Sequence, residues 1–125
     1  MKDLALSLDI LDVVDFLGVR MDIPALMSAA DVFVLSSAWE GFGLVVAEAM
    51  ACERLVVATD CGGVREVVGP YGHLVPPSDS KALCGALEAA LNVSEAEYKT
   101  IGDCARKRIF DNFSLELNYS FFLFG

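Results

Sequence analysis

The chain has 125 residues, enough for one domain, and 55% of them are hydrophobic, so a packed core is expected rather than disorder. Eighteen Asp and Glu against nine Lys and Arg leave a net charge of −9, which argues against a nucleic-acid partner because such binding needs a basic surface. The cysteines Cys52, Cys61, Cys84 and Cys104 form no CxxC pair, and His73 has no ligand-like neighbours, so no zinc site is indicated. They read instead as small apolar groups in a reducing cytosol. Asp3, Asp9 and Asp12 interrupt the N-terminal apolar residues, which is unlike a signal peptide. No apolar stretch approaches the ~20 residues that span a bilayer.

Leu4, Ala5 and Leu8 recur at helical spacing, with Leu11 one turn on, and predict a helix over residues 2–8. Val13-Val14-Asp15-Phe16-Leu17 reads as a strand ended by Gly18. Asp22 near the N-cap and Pro24 in the first turn start the next helix, whose inward stripe is Leu26, Met27 and Ala30. Residues 31–36 form a β-branched apolar run expected to be a buried strand. A helix follows from about Gly43 to Cys52, then a strand over 55–59, the loop Asp60-Cys61-Gly62-Gly63 and a short helix over 64–68. Gly72 to Val75 is a weaker strand candidate, stopped by Pro76-Pro77. Ser78-Asp79-Ser80 caps a helix over 81–92 with Leu83, Leu87 and Leu91 in one stripe. Ser94, with Glu97 three residues on, opens a helix over about 95–112 through a capping box.

Strands alternating with helices predict an α/β fold, a parallel sheet with helices on both faces. Such sheets bind ligands beyond the C-terminal ends of their strands. That rule gathers Val19-Arg20, the stretch from Ser36 to Gly43 and the loop from Thr59 to Gly63 on one rim. About four strands are countable, fewer than open sheets of this kind usually hold, which leaves room for an apolar edge without a neighbour.

The most informative stretch runs from Trp39 to Met50. A glycine turn there opens an apolar helix, with Glu40 before the helix and Glu48 inside it. Strand, glycine turn and helix together aim free backbone N–H groups at a spot where an anion can sit. Glu48 lies among Leu44, Val45, Val46, Ala47, Ala49, Met50 and Ala51, and a helix apolar all round is buried. A buried carboxylate needs a partner. Two readings stay open on the residues alone. Either Glu48 pairs with an arginine such as Arg54 or Arg65, or Glu40 and Glu48 accept hydrogen bonds from the hydroxyls of a bound sugar and ribose.

Taken together, Phe16-Leu17-Gly18, the run Ile23 to Leu35, Trp39 to Leu44 with Glu48 to Cys52, Val56 to Gly63 and Leu74 to Pro77 resemble one family. It is the C-terminal, nucleotide-binding half of the family-4 (group 1) retaining glycosyltransferases of GT-B fold. The resemblance covers about residues 4–115, and the Glu40-to-Glu48 element is specific only in this full context. It implies that Glu40 is the catalytic-site contact to the transferred sugar. It implies that backbone N–H groups from Gly41 through Phe42, Gly43 and Leu44 hold the donor phosphates, and that Glu48 binds the ribose hydroxyls. Val19 and Arg20 would pass the nucleotide base, mainly through their backbone. The implied co-substrate is a nucleotide diphosphate sugar, with no metal or other cofactor, and the anomeric configuration is retained.

The resemblance also marks departures. An N-terminal acceptor-binding domain, and the first βα units with a basic Arg/Lys pair, have no counterpart in residues 1–39. Where the family often has Gly-x-Pro, this chain has Glu53-Arg54-Leu55, which would cost about 1 kcal/mol if Glu53 keeps a left-handed backbone. The domain reading is a partial donor-binding domain over 1–115 and an atypical apolar tail over 116–125. The tail is open to three readings: a docking surface for an absent domain, the product of a truncated or shifted reading frame, or an ordinary buried end. The expected function is sugar transfer to a glycan or lipid-linked acceptor in the cytoplasm or at the inner face of a membrane. This chain would supply only the donor-binding part and be inactive alone. The alternatives are a non-catalytic nucleotide-binding or interaction fragment and, less favoured, a GT-B sugar-nucleotide epimerase.

Overall fold

The structure, a computed structural model, describes residues 2–17, 23–36 and 44–113. Helices α1 (Lys2–Ser7) and α2 (Ile23–Ala29) precede strand β1 (Val32–Leu35). Then come α3 (Leu44–Ala51), β2 (Leu55–Thr59), α4 (Val64–Val68), β3 (His73–Val75), α5 (Ser80–Leu91) and α6 (Glu95–Asn112). The strands form a parallel sheet in the order β1-β2-β3, with Val32 opposite Leu55 and Val57 opposite His73.

β2 is the central strand, and all five of its residues are buried. Successive side chains of a strand point to opposite faces. Val56 and Ala58 accordingly join the larger core with Val46, Met50, Val64, Val67 and Ile109, from α3, α4 and α6. Leu55 and Val57 face the other way, into a smaller core with Ala90, Leu83 and Leu87 of α5. Helix α6 serves both layers, placing Tyr98 and Ile101 in the smaller core and Ala105 and Ile109 in the larger. The caps form as the residues predict. The Asp79 carboxylate accepts the Ala82 N–H at 2.9 Å, and the Ser94 hydroxyl accepts the Glu97 N–H at 3.1 Å.

Three expectations are corrected. Residues 13–17 are not a strand: Leu11–Val13 is a 3-10 turn and 14–17 belong to no regular element, although Val14 has extended torsions. A strand exists only through hydrogen bonds to a neighbour, and the sheet of the described residues has three strands rather than four. β1 is half-buried rather than buried, with Val34 39% exposed, because it borders the sheet. Leu91 leaves the α5 stripe at 69% exposure, since Ala90 takes the inward position one turn after Leu87 and two after Leu83. The helical spacing of Leu4, Leu8 and Leu11 likewise buries little, as all three are exposed. Gly18, Val19, Arg20, Asp22 and the tail lie outside the described residues.

The turn from α3 to β2 is a tight junction. Glu53 has φ +62°, the left-handed value that the comparison with Gly-x-Pro raised. Its carbonyl oxygen would lie 2.9 Å from a Cβ added at Gly102 of α6, so only glycine allows α6 so close. Glu53→Gly should stabilise the chain by about 0.5–1 kcal/mol by relieving the backbone. Gly102→Ala should destabilise it by about 1–3 kcal/mol through overpacking against backbone. Urea unfolding followed by circular dichroism measures both.

Candidate functional site

All described strands are parallel, so their C-terminal ends share one rim. Ser36 follows β1, Asp60 to Gly63 follow β2, and Pro76 to Asp79 follow β3. Leu44 opens α3 at this rim and is half-buried. One turn further on, Glu48 is only 6% exposed, while Val46, Ala47, Ala49 and Met50 are at most 1% exposed. The burial anticipated from its apolar neighbours is therefore met. Glu40, Gly41, Phe42, Gly43, Val19 and Arg20 lie outside the described residues, so Leu44 and Glu48 are the site residues with a described position.

Glu48 is engaged within the fold, and no buried side-chain nitrogen or oxygen of the described residues lacks a hydrogen-bond partner. The two arginines raised as candidate partners make contacts of their own. Arg54 donates from Nε to the Cys52 carbonyl at 2.9 Å and from Nη1 to the Ala30 carbonyl at 3.0 Å. Its guanidinium also lies 5.7 Å from the Tyr98 ring centre. Arg65 donates from Nε to Asp60 Oδ1 at 3.1 Å and from Nη2 to Oδ2. The hydrogen bond and charge of Asp60 hold the Arg65 pKa above its ordinary value.

These arginines belong to a wider pattern. The last carbonyls of a helix have no partner inside the helix and carry the negative end of its dipole. Arg54 serves the carbonyls that follow α2 and α3. Arg106 of α6 donates to Ala51 at the end of α3. Arg108 donates to Val67 at 3.1 Å and to Glu66 at 2.5 Å, at the end of α4. Helix α3, which carries Glu48, is thus tied at its C-terminal end from two directions. Sequence reasoning missed these ties, because Arg106 and Ala51 are 55 residues apart and no local pattern links them.

On the opposite face of the sheet, the rim holds an open groove of about 300 Å³. The hydroxyl residues Ser36, Thr59, Ser78 and Ser80 line it with Asp79, over the apolar floor of Pro76 and Leu83. These residues come from the ends of β1 and β2, the β3–α5 connection and the first turn of α5, which is why no motif announced them; the rim rule was the one available signal. Among the described residues no group of three His, Cys, Asp or Glu side chains could hold a metal ion. No described helix is long and apolar enough to cross a membrane.

A parallel sheet with helices packed on both faces is the open α/β architecture of the Rossmann kind. The family model described as "Glycosyl transferases group 1" matches residues 1–108, and the chain belongs to that family. Among its relatives, N-acetyl-alpha-D-glucosaminyl L-malate synthase of Bacillus anthracis is 33% identical over 88% of this chain and 29% of its own. Among solved structures, Anabaena Alr3699/HepE in complex with UDP-glucose is 32% identical, with a TM-score of 0.84 over 94% of this chain and 33% of its own. The C-terminal domain of the group 1 glycosyl transferase LpcC of Francisella tularensis is 28% identical, with a TM-score of 0.73 over 90% of this chain and 61% of its own. The chain corresponds to part of the C-terminal half of a GT-B glycosyltransferase. It spans about a quarter to a third of the full-length relatives it matches.

Arg54→Met should remove two charged hydrogen bonds while keeping the apolar stem, at a cost of about 1.5–3 kcal/mol. Hydrogen exchange should then rise first at the amides ending α2 and α3, a result that checks the tie directly.

Proposed function

We propose that this chain supplies the donor-binding part of a retaining glycosyltransferase that takes a sugar from a nucleotide diphosphate sugar and delivers it to a glycan or lipid-linked acceptor. One observation carries the reading. Glu48 is a carboxylate buried in an otherwise apolar helix whose first residue stands at the binding rim of a parallel sheet. An ionised carboxylate offers only acceptors, which suits adjacent ribose hydroxyls. Its support from outside the chain is the likeness to HepE, whose structure contains UDP-glucose.

In this reading the residues act as follows. Glu48 accepts from the two ribose hydroxyls and fixes the nucleoside against α3. Backbone N–H groups from Gly41 to Leu44 take the diphosphate oxygens, as the first amides of a helix do when an anion sits at its N-terminus. When the bond from the anomeric carbon to the phosphate oxygen breaks, negative charge grows on the departing diphosphate, and these N–H groups stabilise it without a metal ion. Glu40 accepts from the hydroxyls of the transferred sugar and sets its orientation. Val19 and Arg20 border the base. The anomeric carbon is then presented to an acceptor held by another part of a complete enzyme. Proximity of the two substrates supplies much of the rate in such a reaction, so the segment alone binds donor but transfers little.

The competing reading is a binding or interaction fragment without catalysis. It is favoured by the exposed apolar residues of the first seventeen, including Leu4, Leu6, Leu8 and Val13. A transfer assay with radiolabelled nucleotide sugar separates the two, run with and without the N-terminal portion of a relative added as a second polypeptide. Sugar transfer in the mixture supports the enzyme reading, and binding without transfer supports the other.

The ribose role of Glu48 has its own test by titration calorimetry with UDP and GDP, each beside its 2′-deoxy form. The native chain should prefer the ribo form. Glu48→Gln should weaken it by about 10- to 100-fold, the worth of hydrogen bonds to a charged group, and abolish the ribo-over-deoxy preference. A preference that survives in Glu48→Gln removes the assignment.

A further inference from the structure

Each carbonyl from Glu48 to Cys52, the last turn of α3 and its exit, has a donor. The Cys52 N–H donates to Glu48 and Ala49 at 3.1 Å each, the Glu53 N–H to Met50 at 3.0 Å and the Arg54 N–H to Ala49 at 3.0 Å. With Glu53 at φ +62°, this is the Schellman ending of a helix. It leaves the Ala51 and Cys52 carbonyls to side chains. Arg54 Nε donates to Cys52 at 2.9 Å, and Arg106 Nη1 donates to Ala51. Arg54 serves its own turn, whereas Arg106 ties the end of α3 to a separate helix, α6. The Arg106 guanidinium lies 4.8 Å from the ring centre of Phe110, one turn along α6, and that contact steadies it.

Glu48 stands at the start of the turn that Arg106 closes. Its own carbonyl accepts the Cys52 N–H, and Ala51 lies three residues on. Since α3 has eight residues, loss of its last turn would leave about one turn of helix. A helix that short does not hold a side chain in place by itself. We infer that Arg106 is a positioning residue for the nucleotide donor: by fastening the last turn of α3 to α6, it fixes the Glu48 carboxylate where the ribose hydroxyls meet it. The inference rests on the ribose role proposed for Glu48, and adds to it a residue 58 positions away in the chain. Arg106 acts through the backbone of α3, at the end remote from the rim, so it sets the geometry of the ribose bonds and not their charge.

The test is titration calorimetry of the full chain with UDP and GDP, each beside its 2′-deoxy form, at a temperature where circular dichroism shows every variant folded. Arg106→Met keeps the apolar stem and removes the donor. It should weaken the ribo form about fivefold to tenfold and the 2′-deoxy form by much less, so that the preference for ribose falls. Arg106→Gln is read in the same way where the Met variant does not fold. Arg106→Lys retains a charged donor and should recover most of the preference. Arg108→Met removes the bonds at the end of α4 instead, and should lower stability without changing the preference. The double variant Glu48→Gln, Arg106→Met should bind as Glu48→Gln does, because one residue acts through the other. A native chain that binds neither nucleotide, or binds ribo and deoxy forms equally, overturns the role of Glu48 and this inference with it. A native preference that Arg106→Met leaves intact, or that Arg108→Met lowers as much, overturns the inference alone, as does an additive loss in the double variant.

Discussion

Everything in this domain depends on the placement of one short helix. α3 is eight residues long, apolar around its whole circumference apart from Glu48, and pressed between the sheet, α4 and α6. A helix so short has little stability of its own, so its existence is a tertiary matter. Burial against β2 and α6 supplies the driving force. Its direction along the axis is set at the far end, where Arg54 and Arg106 hold its last carbonyls and Gly102 lets α6 close over Glu53. In a chain with an excess of acids, three of the arginines, Arg54, Arg106 and Arg108, are used where helices end.

The sheet divides the chemistry as well as the core. Because β2 alternates, one of its faces supports the helix with the buried acid and the other supports α5 and its hydroxyl-lined groove. The two faces share a rim but no lining residues. In this group 1 glycosyltransferase domain the buried carboxylate of Glu48 lies on one side of the sheet, and hydroxyls with the Asp79 carboxylate lie on the other. Separation by a β-sheet, rather than by distance along the chain, keeps the two environments from mixing.

What was legible beforehand follows a simple physical division. Signals carried within a few residues were read correctly: the Asp79 and Ser94 caps, the short helix over 64–68, the strand over 55–59 and the burial of Glu48. Features that need a partner distant in sequence were not. Residues 13–17 have the composition of a strand, but a strand also needs a neighbour to bond with. Leu91 fits a three-leucine stripe, yet the packed surface of α5 turns past it to Ala90. The arginine ties join residues as far apart as Arg106 and Ala51, and the groove assembles hydroxyls from after β1, the end of β2 and the start of α5. Of the site, Glu48 was legible because its own neighbours bury it. The family resemblance supplied the roles of Glu40 and the glycine turn, which local physics left open.

The border position of β1 has a practical side. Val32-Phe33-Val34-Leu35 carries none of the lysines, prolines or bulges by which natural border strands discourage further pairing. As the border strand of the described sheet, β1 therefore presents an edge on which a further strand can pair. A lysine introduced at the outward-facing Val34 would be the economical way to keep the protein monodisperse.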